Sequence, residues 1–230
     1  RAPPPAEEPT DHQHLTRAVI GEGYGPPEST PVTQSNPDAG GKRKVGSLGV
    51  PISDTECRNG DLQDGRTDMP VGEIGEVVLK GPQVMQGYWN RPDATAETIV
   101  DGWLHTGDIG KMDEEGYFYI VDRKKDMIIS GGYNVYPRDI EEVLFENDKI
   151  VEASAIGVPH ETRGEAIKVF VVLKEGESAT QEEIIDYCQG KLAKFKWPTE
   201  VEFRDELPKT NVGKVLKKDL RKQEMEKKSE

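Results

Sequence analysis

The chain has 230 residues, enough for one large or two modest domains around a buried core. Its 43 acidic residues outnumber 30 basic ones for a net charge of −13, which argues against a protein that coats nucleic acid, although a local basic patch can still grip a phosphate. Cys57 and Cys188 stand alone, outside any CxxC spacing, so a disulfide framework and a thiolate zinc site are set aside and a reducing, cytoplasmic compartment is expected.

Residues 1–20 read as a disordered tail, with Pro3, Pro4, Pro5 and Pro9 among Glu7, Glu8 and Asp11. His12 and His14 lie in this tail, where a shared metal is the weaker reading. Arg1 is no initiator Met and leads into no apolar signal run, so the chain is expected to begin inside a longer product. From Gly21 to Gly81 short strands alternate with Gly/Pro punctuation, at Gly46 to Val50 and Gly75 to Lys80. Gly21, Gly23 and Gly25 miss the GxGxxG spacing. Pro92 to Val100 predicts a short helix with Pro92 near its start and Gly102 beyond its end. Tyr117 to Val121 and Met127 to Ile129 predict strands.

Beyond Gly132 the period changes. Pro137 opens a helix with Ile140, Val143 and Leu144 on one face. Strands are predicted at Val151 to Val158, Lys168 to Leu173 and Val201 to Phe203. Thr180 and Glu183 form a capping box before a stripe of Ile184, Ile185, Cys188 and Leu192. Leu216 to Lys228 predicts a charged helix whose Lys217, Lys218, Arg221 and Lys222 read as a solvated face. Apolar stretches such as Val169 to Leu173 fall far short of the ~20 residues of a membrane span. The fold class is α+β, β-rich first and mixed afterwards, with a boundary in the charged run Asp122 to Asp126.

Three clusters carry chemistry. In Trp103-Leu104-His105-Thr106-Gly107-Asp108, a carboxylate after a glycine turn can accept both hydroxyls of a ribose; by spacing alone an ordinary Asx turn is the better reading. In Asp122-Arg123-Lys124-Lys125-Asp126, Arg123 offers a fixed fork of donors, against the plainer reading of a solvated turn. In Leu207 to Lys214, a tight loop delivers Lys214, whose ammonium can neutralise charge on a phosphate or be one more surface lysine. Val215 stands where a Walker A loop needs Ser or Thr.

In their order, five stretches resemble the adenylate-forming enzymes: Gly23 to Glu28, Gly72 to Glu76 with Gly87-Tyr88-Trp89, Trp103 to Asp108, Asp122 to Pro137, and Leu207 to Lys214. The wording of Asp122 to Pro137 is most similar to the fatty acyl-CoA synthetase branch. The resemblance implies that residues 21–123 end a large AMP-binding domain and that 124–230 form a small α+β lid domain. It also implies an ATP-dependent ligase that makes acyl-adenylate and then a thioester with CoA, from a fatty acid, ATP and Mg²⁺. On that pattern Tyr24 and Gly25 lie along the adenine, Ile120 packs beside the nucleoside, and Asp108 with Arg123 holds the ribose. Glu28 ligates Mg²⁺, Lys214 is catalytic, Lys125 is the hinge, and Gly131 and Gly132 form the loop presented to the CoA tunnel.

Two departures stand out. Pro27 replaces a Thr of the family's Tyr-Gly-x-Thr-Glu, and the Ser/Thr/Gly-rich phosphate loop is nowhere in the sequence. The expected chain is therefore a C-terminal portion, incomplete for catalysis alone without the N-terminal region. The alternatives are a non-catalytic adenylate-binding or interaction module and an adenylation domain that loads a carrier-protein thiol.

Overall fold

The computed structural model describes residues 21–37 and 40–227, so the tail with His12 and His14 lies outside the described residues. The chain divides into two compact units that meet between Lys124 and Lys125. The first unit holds a small antiparallel sheet, β1 (Gly23–Tyr24), β2 (Gln34–Ser35) and β3 (Val50–Pro51). It also holds a five-stranded sheet in the order β4-β5-β7-β6, with β8 beside β7. These strands are β4 (Glu56–Gly60), β5 (Gly75–Lys80), β6 (Ile99–Val100), β7 (Trp103–Met112) and β8 (Phe118–Arg123). Every pairing is antiparallel, as short connections allow.

β5 lies where its sequence predicts, and Val77, Leu79 and Leu104 form a core with Tyr24, Cys57, Ile99 and Ile120 against it. Helix α1 (Pro92–Thr98) starts on Pro92, whose missing N–H costs nothing in a first turn. Of the predicted strand Gly46 to Val50, only Val50–Pro51 is a strand, with Gly49 bridged to Phe118. The backbone there is drawn instead around buried polar groups. Glu22 accepts from Gly46 N at 2.9 Å and from Asn36 Nδ2 at 3.1 Å.

The second unit is a sheet in the order β10-β9-β12-β11, with β13 parallel to β12. Its strands are β9 (Ile128–Ser130), β10 (Tyr133–Val135), β11 (Ile150–His160), β12 (Gly164–Leu173) and β13 (Glu200–Phe203). The alternation along β12 sends Ile167, Val169 and Val171 to one face and Ala166, Phe170 and Val172 to the other. The first face packs residues of α2 (Pro137–Phe145) and α3 (Gln181–Gln189), among them Ile140, Leu144, Ile184 and Cys188. The second packs Leu220 of α4 (Lys217–Lys227). The Thr180–Glu183 capping box closes in both directions and starts α3.

The solvated-face reading of α4 holds for Lys218 and Lys222, which are exposed, and is corrected for Lys217 and Arg221. Leu220 and Glu224, four residues apart, are buried, Lys217 pairs with Glu141 at 2.9 Å, and Arg221 pairs with Asp126 at 2.9 Å. Glu224 is drawn inward by Lys168, which is 3% exposed in the middle of β12 and touches Glu200, Glu202 and Glu224 at 2.6, 2.8 and 2.7 Å. Burial opposes that ammonium, yet its hydrogen bonds to the three carboxylates prevail and hold its pKa above the ordinary lysine value. Burial likewise opposes the Glu202 anion, but Lys168, Lys227 and Arg204 bring its pKa down to about 2. The three carboxylates converge closely enough to suggest a metal, but the lysine ammonium already sits among them.

Candidate functional site

Asp108 is not in a turn, as the sequence suggests, but inside β7. The β5–β7 register runs from Glu76 opposite Ile109 to Val78 opposite His105, leaving a bulge on β7. Gly107 takes φ +69° there, a region other residues avoid. Side chains satisfy the groups the ladder abandons. Gly107 N donates to Glu76 Oε1 at 3.0 Å, Asp108 N to Thr106 Oγ1 at 3.1 Å, and Thr106 Oγ1 to the Val77 carbonyl at 2.6 Å.

The bulge sets the Asp108 carboxylate between two partners of the same unit. The Tyr24 hydroxyl donates to Oδ2 at 2.5 Å, and Arg123, directly opposite on β8, brings Nε to 3.5 Å from Oδ1. Burial, and then the negative charge of Asp108, push the Tyr24 phenol above its ordinary pKa, so it stays a donor. Arg123 is half exposed, and the ion pair is correspondingly screened. Ile120 of β8 packs on the same core as Tyr24. Gly25 follows β1 so closely against the Pro31 carbonyl that a Cβ would lie 1.9 Å from it. The sequence-predicted Tyr24, Gly25, Asp108, Ile120 and Arg123 thus all lie in the first unit, with Tyr24, Asp108 and Arg123 joined directly.

Glu28 lies in a 3₁₀ turn, Pro27–Ser29, with Pro27 as its first residue. The Tyr88 hydroxyl donates to its Oε1 at 2.8 Å, and that bond, then burial, raises the Tyr88 pKa. Oε2 takes no hydrogen bond among the described residues. One half-buried carboxylate with an open oxygen suits Mg²⁺, which commonly binds one or two protein carboxylates alongside substrate phosphates.

In the second unit, Gly131 and Gly132, both at positive φ, form the two-residue turn of the β9–β10 hairpin. Gly131 N donates to the Arg163 carbonyl at 2.9 Å, and Tyr133 stacks on Phe195 with ring centroids 4.8 Å apart. Lys214 sits on a loop closed by the Lys209–Val215 bridge and by Thr210 N donating to the Lys214 carbonyl at 2.8 Å. Its side chain is exposed, and its ammonium has no partner among the described residues. Lys125 is exposed at the start of the second unit. Sequence reading assigned no role to Glu76, Thr106, Tyr88 or Lys168. The available signals were lone charges in otherwise apolar strands, Glu76 within Gly75 to Leu79 and Lys168 within Ala166 to Val172.

Comparison with known proteins adds to this geometry. The model of the AMP-binding enzyme matches residues 2–89, and that of the AMP-binding enzyme C-terminal domain matches residues 139–214, together more than half of the chain. The chain belongs to the AMP-binding enzyme family. A long-chain-fatty-acid–CoA ligase of Bacillus subtilis is 49% identical over 222 residues, which is 96% of this chain and 39% of the relative. The ligase of the same description from Yersinia pestis is 51% identical over 212 residues, 92% of this chain and 37% of the relative. This chain therefore spans about two-fifths of the length of the curated relatives it matches. Among solved structures, ATP-bound MatB from Rhodopseudomonas palustris is 38% identical with a TM-score of 0.88, over 97% of this chain and 44% of that one. MenE from Bacillus subtilis, in complex with the acyl-adenylate intermediate OSB-AMP, is 32% identical with a TM-score of 0.83, over 96% and 44%. No helix among the described residues is long and apolar enough to cross a membrane.

Proposed function

We propose that the protein is an ATP-dependent fatty acid–CoA ligase, to which this chain contributes the nucleoside-holding end of the large AMP-binding domain and the α+β lid. The Tyr24–Asp108–Arg123 cluster carries the proposal: a carboxylate held by a phenol and a guanidinium keeps further lone pairs for two hydroxyls of a ribose. The named relatives support the choice of fatty acid and CoA. A reducing, cytoplasmic setting suits Cys57 and Cys188, both free thiols.

In the first half-reaction a fatty-acid carboxylate oxygen forms a bond to the α-phosphorus of ATP, and the bond to pyrophosphate breaks. Asp108 and Arg123 fix the ribose, while Tyr24, Gly25 and Ile120 flank the base, so the α-phosphorus is held at a set distance from the anchored sugar. Lys214 lays its unpaired ammonium against the negative charge spreading over carboxylate and phosphate. Glu28 is the residue to hold Mg²⁺, which when bound screens phosphate charge. In the second half-reaction the CoA sulfur bonds the acyl carbon and AMP leaves. Lys125 is the pivot about which the lid turns between the steps, withdrawing Lys214 and presenting the Gly131–Gly132 turn.

The rival reading is a non-catalytic adenylate-binding module. Two measurements separate the readings. Acid-dependent ATP–pyrophosphate exchange is expected from a chimaera that joins this chain to the upstream region of the Bacillus subtilis relative; AMP binding without exchange favours the module. Asp108→Asn removes the ribose-facing charge and is expected to weaken AMP binding to that chimaera about 10- to 100-fold by calorimetry, since hydrogen bonds to charged groups contribute about 1.5–3 kcal/mol. Unchanged affinity would remove Asp108 from the site.

A further inference from the structure

The residues on either side of Lys125 are each tied into their own unit. Lys124 Nζ donates to Glu76 Oε2 at 2.8 Å, and the Glu76 side chain is only 3% exposed. Glu76 Oε1 is the acceptor for Gly107 N, and His105 Nδ1 stands 3.4 Å from Oε2. One buried carboxylate thus fixes both the bulge that aims Asp108 and the last residue of the first unit. On the other side, Arg221 Nη2 donates to Asp126 Oδ1 at 2.9 Å, and the Asp126 side chain is 13% exposed. Arg221 lies on α4, one residue after the buried Leu220. Lys125 itself is exposed, and its side chain has no partner among the described residues.

We infer that Glu76 and Arg221 are positioning residues that clamp Lys124 and Asp126 to their respective units and thereby confine the swivel to Lys125. The inference rests on the ligase reading for its use and on geometry for its existence. A linker held at both ends by buried or half-buried ion pairs has few torsions left to change, and those belong to the residue between the clamps. Because Glu76 also braces Gly107, the pivot is built on the same side chain as the ribose carboxylate. Turning the lid therefore need not disturb Asp108.

The test removes each clamp by its outer partner, leaving the Glu76–Gly107 contact in place. Lys124→Met and Arg221→Met are made in this chain and followed by amide hydrogen exchange. The expected result is a rise of about tenfold or more at residues 123–124 in the first variant and at 126–127 in the second, with Lys124→Arg and Arg221→Lys restoring slow exchange. A change below twofold in either Met variant overturns the inference. In the chimaera, both Met variants are expected to slow thioester formation from supplied acyl-adenylate about tenfold, with pyrophosphate exchange held within twofold. Equal slowing of both steps overturns the positioning role. Should the unmodified chimaera fail to turn over while exchange rises as expected, the clamps stand and the ligase reading falls.

Discussion

The two units use charged side chains in opposite ways. In the first, every polar group around Asp108 has an assigned partner: Thr106 serves Asp108 N, Glu76 serves Gly107 N, and Tyr24 serves the carboxylate. In the second, Lys214 is left exposed on a tight loop with its ammonium unpaired, while the buried lysine of that unit, Lys168, is surrounded by three carboxylates. A group that must hold one ligand through a reaction gains from a rigid surround, whereas a group that must arrive and leave gains from having no competing partner. Lys168 and Lys214 carry the same charge in opposite surroundings. Partnering separates them.

The contrast can be broken most sharply at Lys168. Lys168→Met leaves three clustered carboxylates without their cation and is expected to destabilise the second unit by about 3–5 kcal/mol at pH 7, read by urea denaturation. The cost should shrink in acid. Glu202 has a folded pKa of about 2 against an ordinary 4.5, so its stabilisation is complete above pH 4.5 and is lost as pH falls toward 2. The gap between variant and parent should therefore narrow over that window; a gap constant down to pH 2.5 would show that the carboxylates are not what Lys168 offsets.

Lys214→Ala tests the other half of the contrast. Adenylate formation in the chimaera is expected to fall about 10²–10³-fold, the scale for losing one charge-stabilising donor. Folding should not notice, because the side chain is exposed and unpaired, and thioester formation from supplied acyl-adenylate should hold within about threefold. A drop in thermal midpoint of several degrees would return Lys214 to the structural class. The smallest effect is reserved for Thr180→Ala, which removes one half of the capping box on α3. It is expected to cost about 1 kcal/mol in the second unit and nothing in AMP affinity, measured by denaturation and calorimetry.

Much of the second unit was legible because its signals are local. The capping box at Thr180 and Glu183, the Pro137 helix start and the apolar stripe on α3 all act within one or two turns. β7 was not, since Gly107 and the polar run His105 to Asp108 interrupt the alternation that marks a strand. The bulge that explains them depends on Glu76, 31 residues away on the neighbouring strand. β4 escaped for a related reason: Arg58 and Asn59 give it no apolar alternation, and Asn59 is buried through bonds to the Glu73 and Gly110 carbonyls. Asp108, Arg123 and Lys214 were singled out by motif, and periodicity would not have pointed to them. The burial of Lys168 showed in β12 only as a lone charge among apolar residues, because its three partners come from β13 and α4.

That quartet also sets a rule for recombination. Lys168, Glu200, Glu202 and Glu224 come from three separate segments, yet the buried Lys168 and Glu224 are tolerable inside only because the others are present. Exchanging one segment with a relative that solves the same core by apolar packing would strand either a lone ammonium or uncompensated acids. A workable crossover point lies outside the stretch from β12 to α4, so the sheet, its parallel partner and the last helix travel as one cassette.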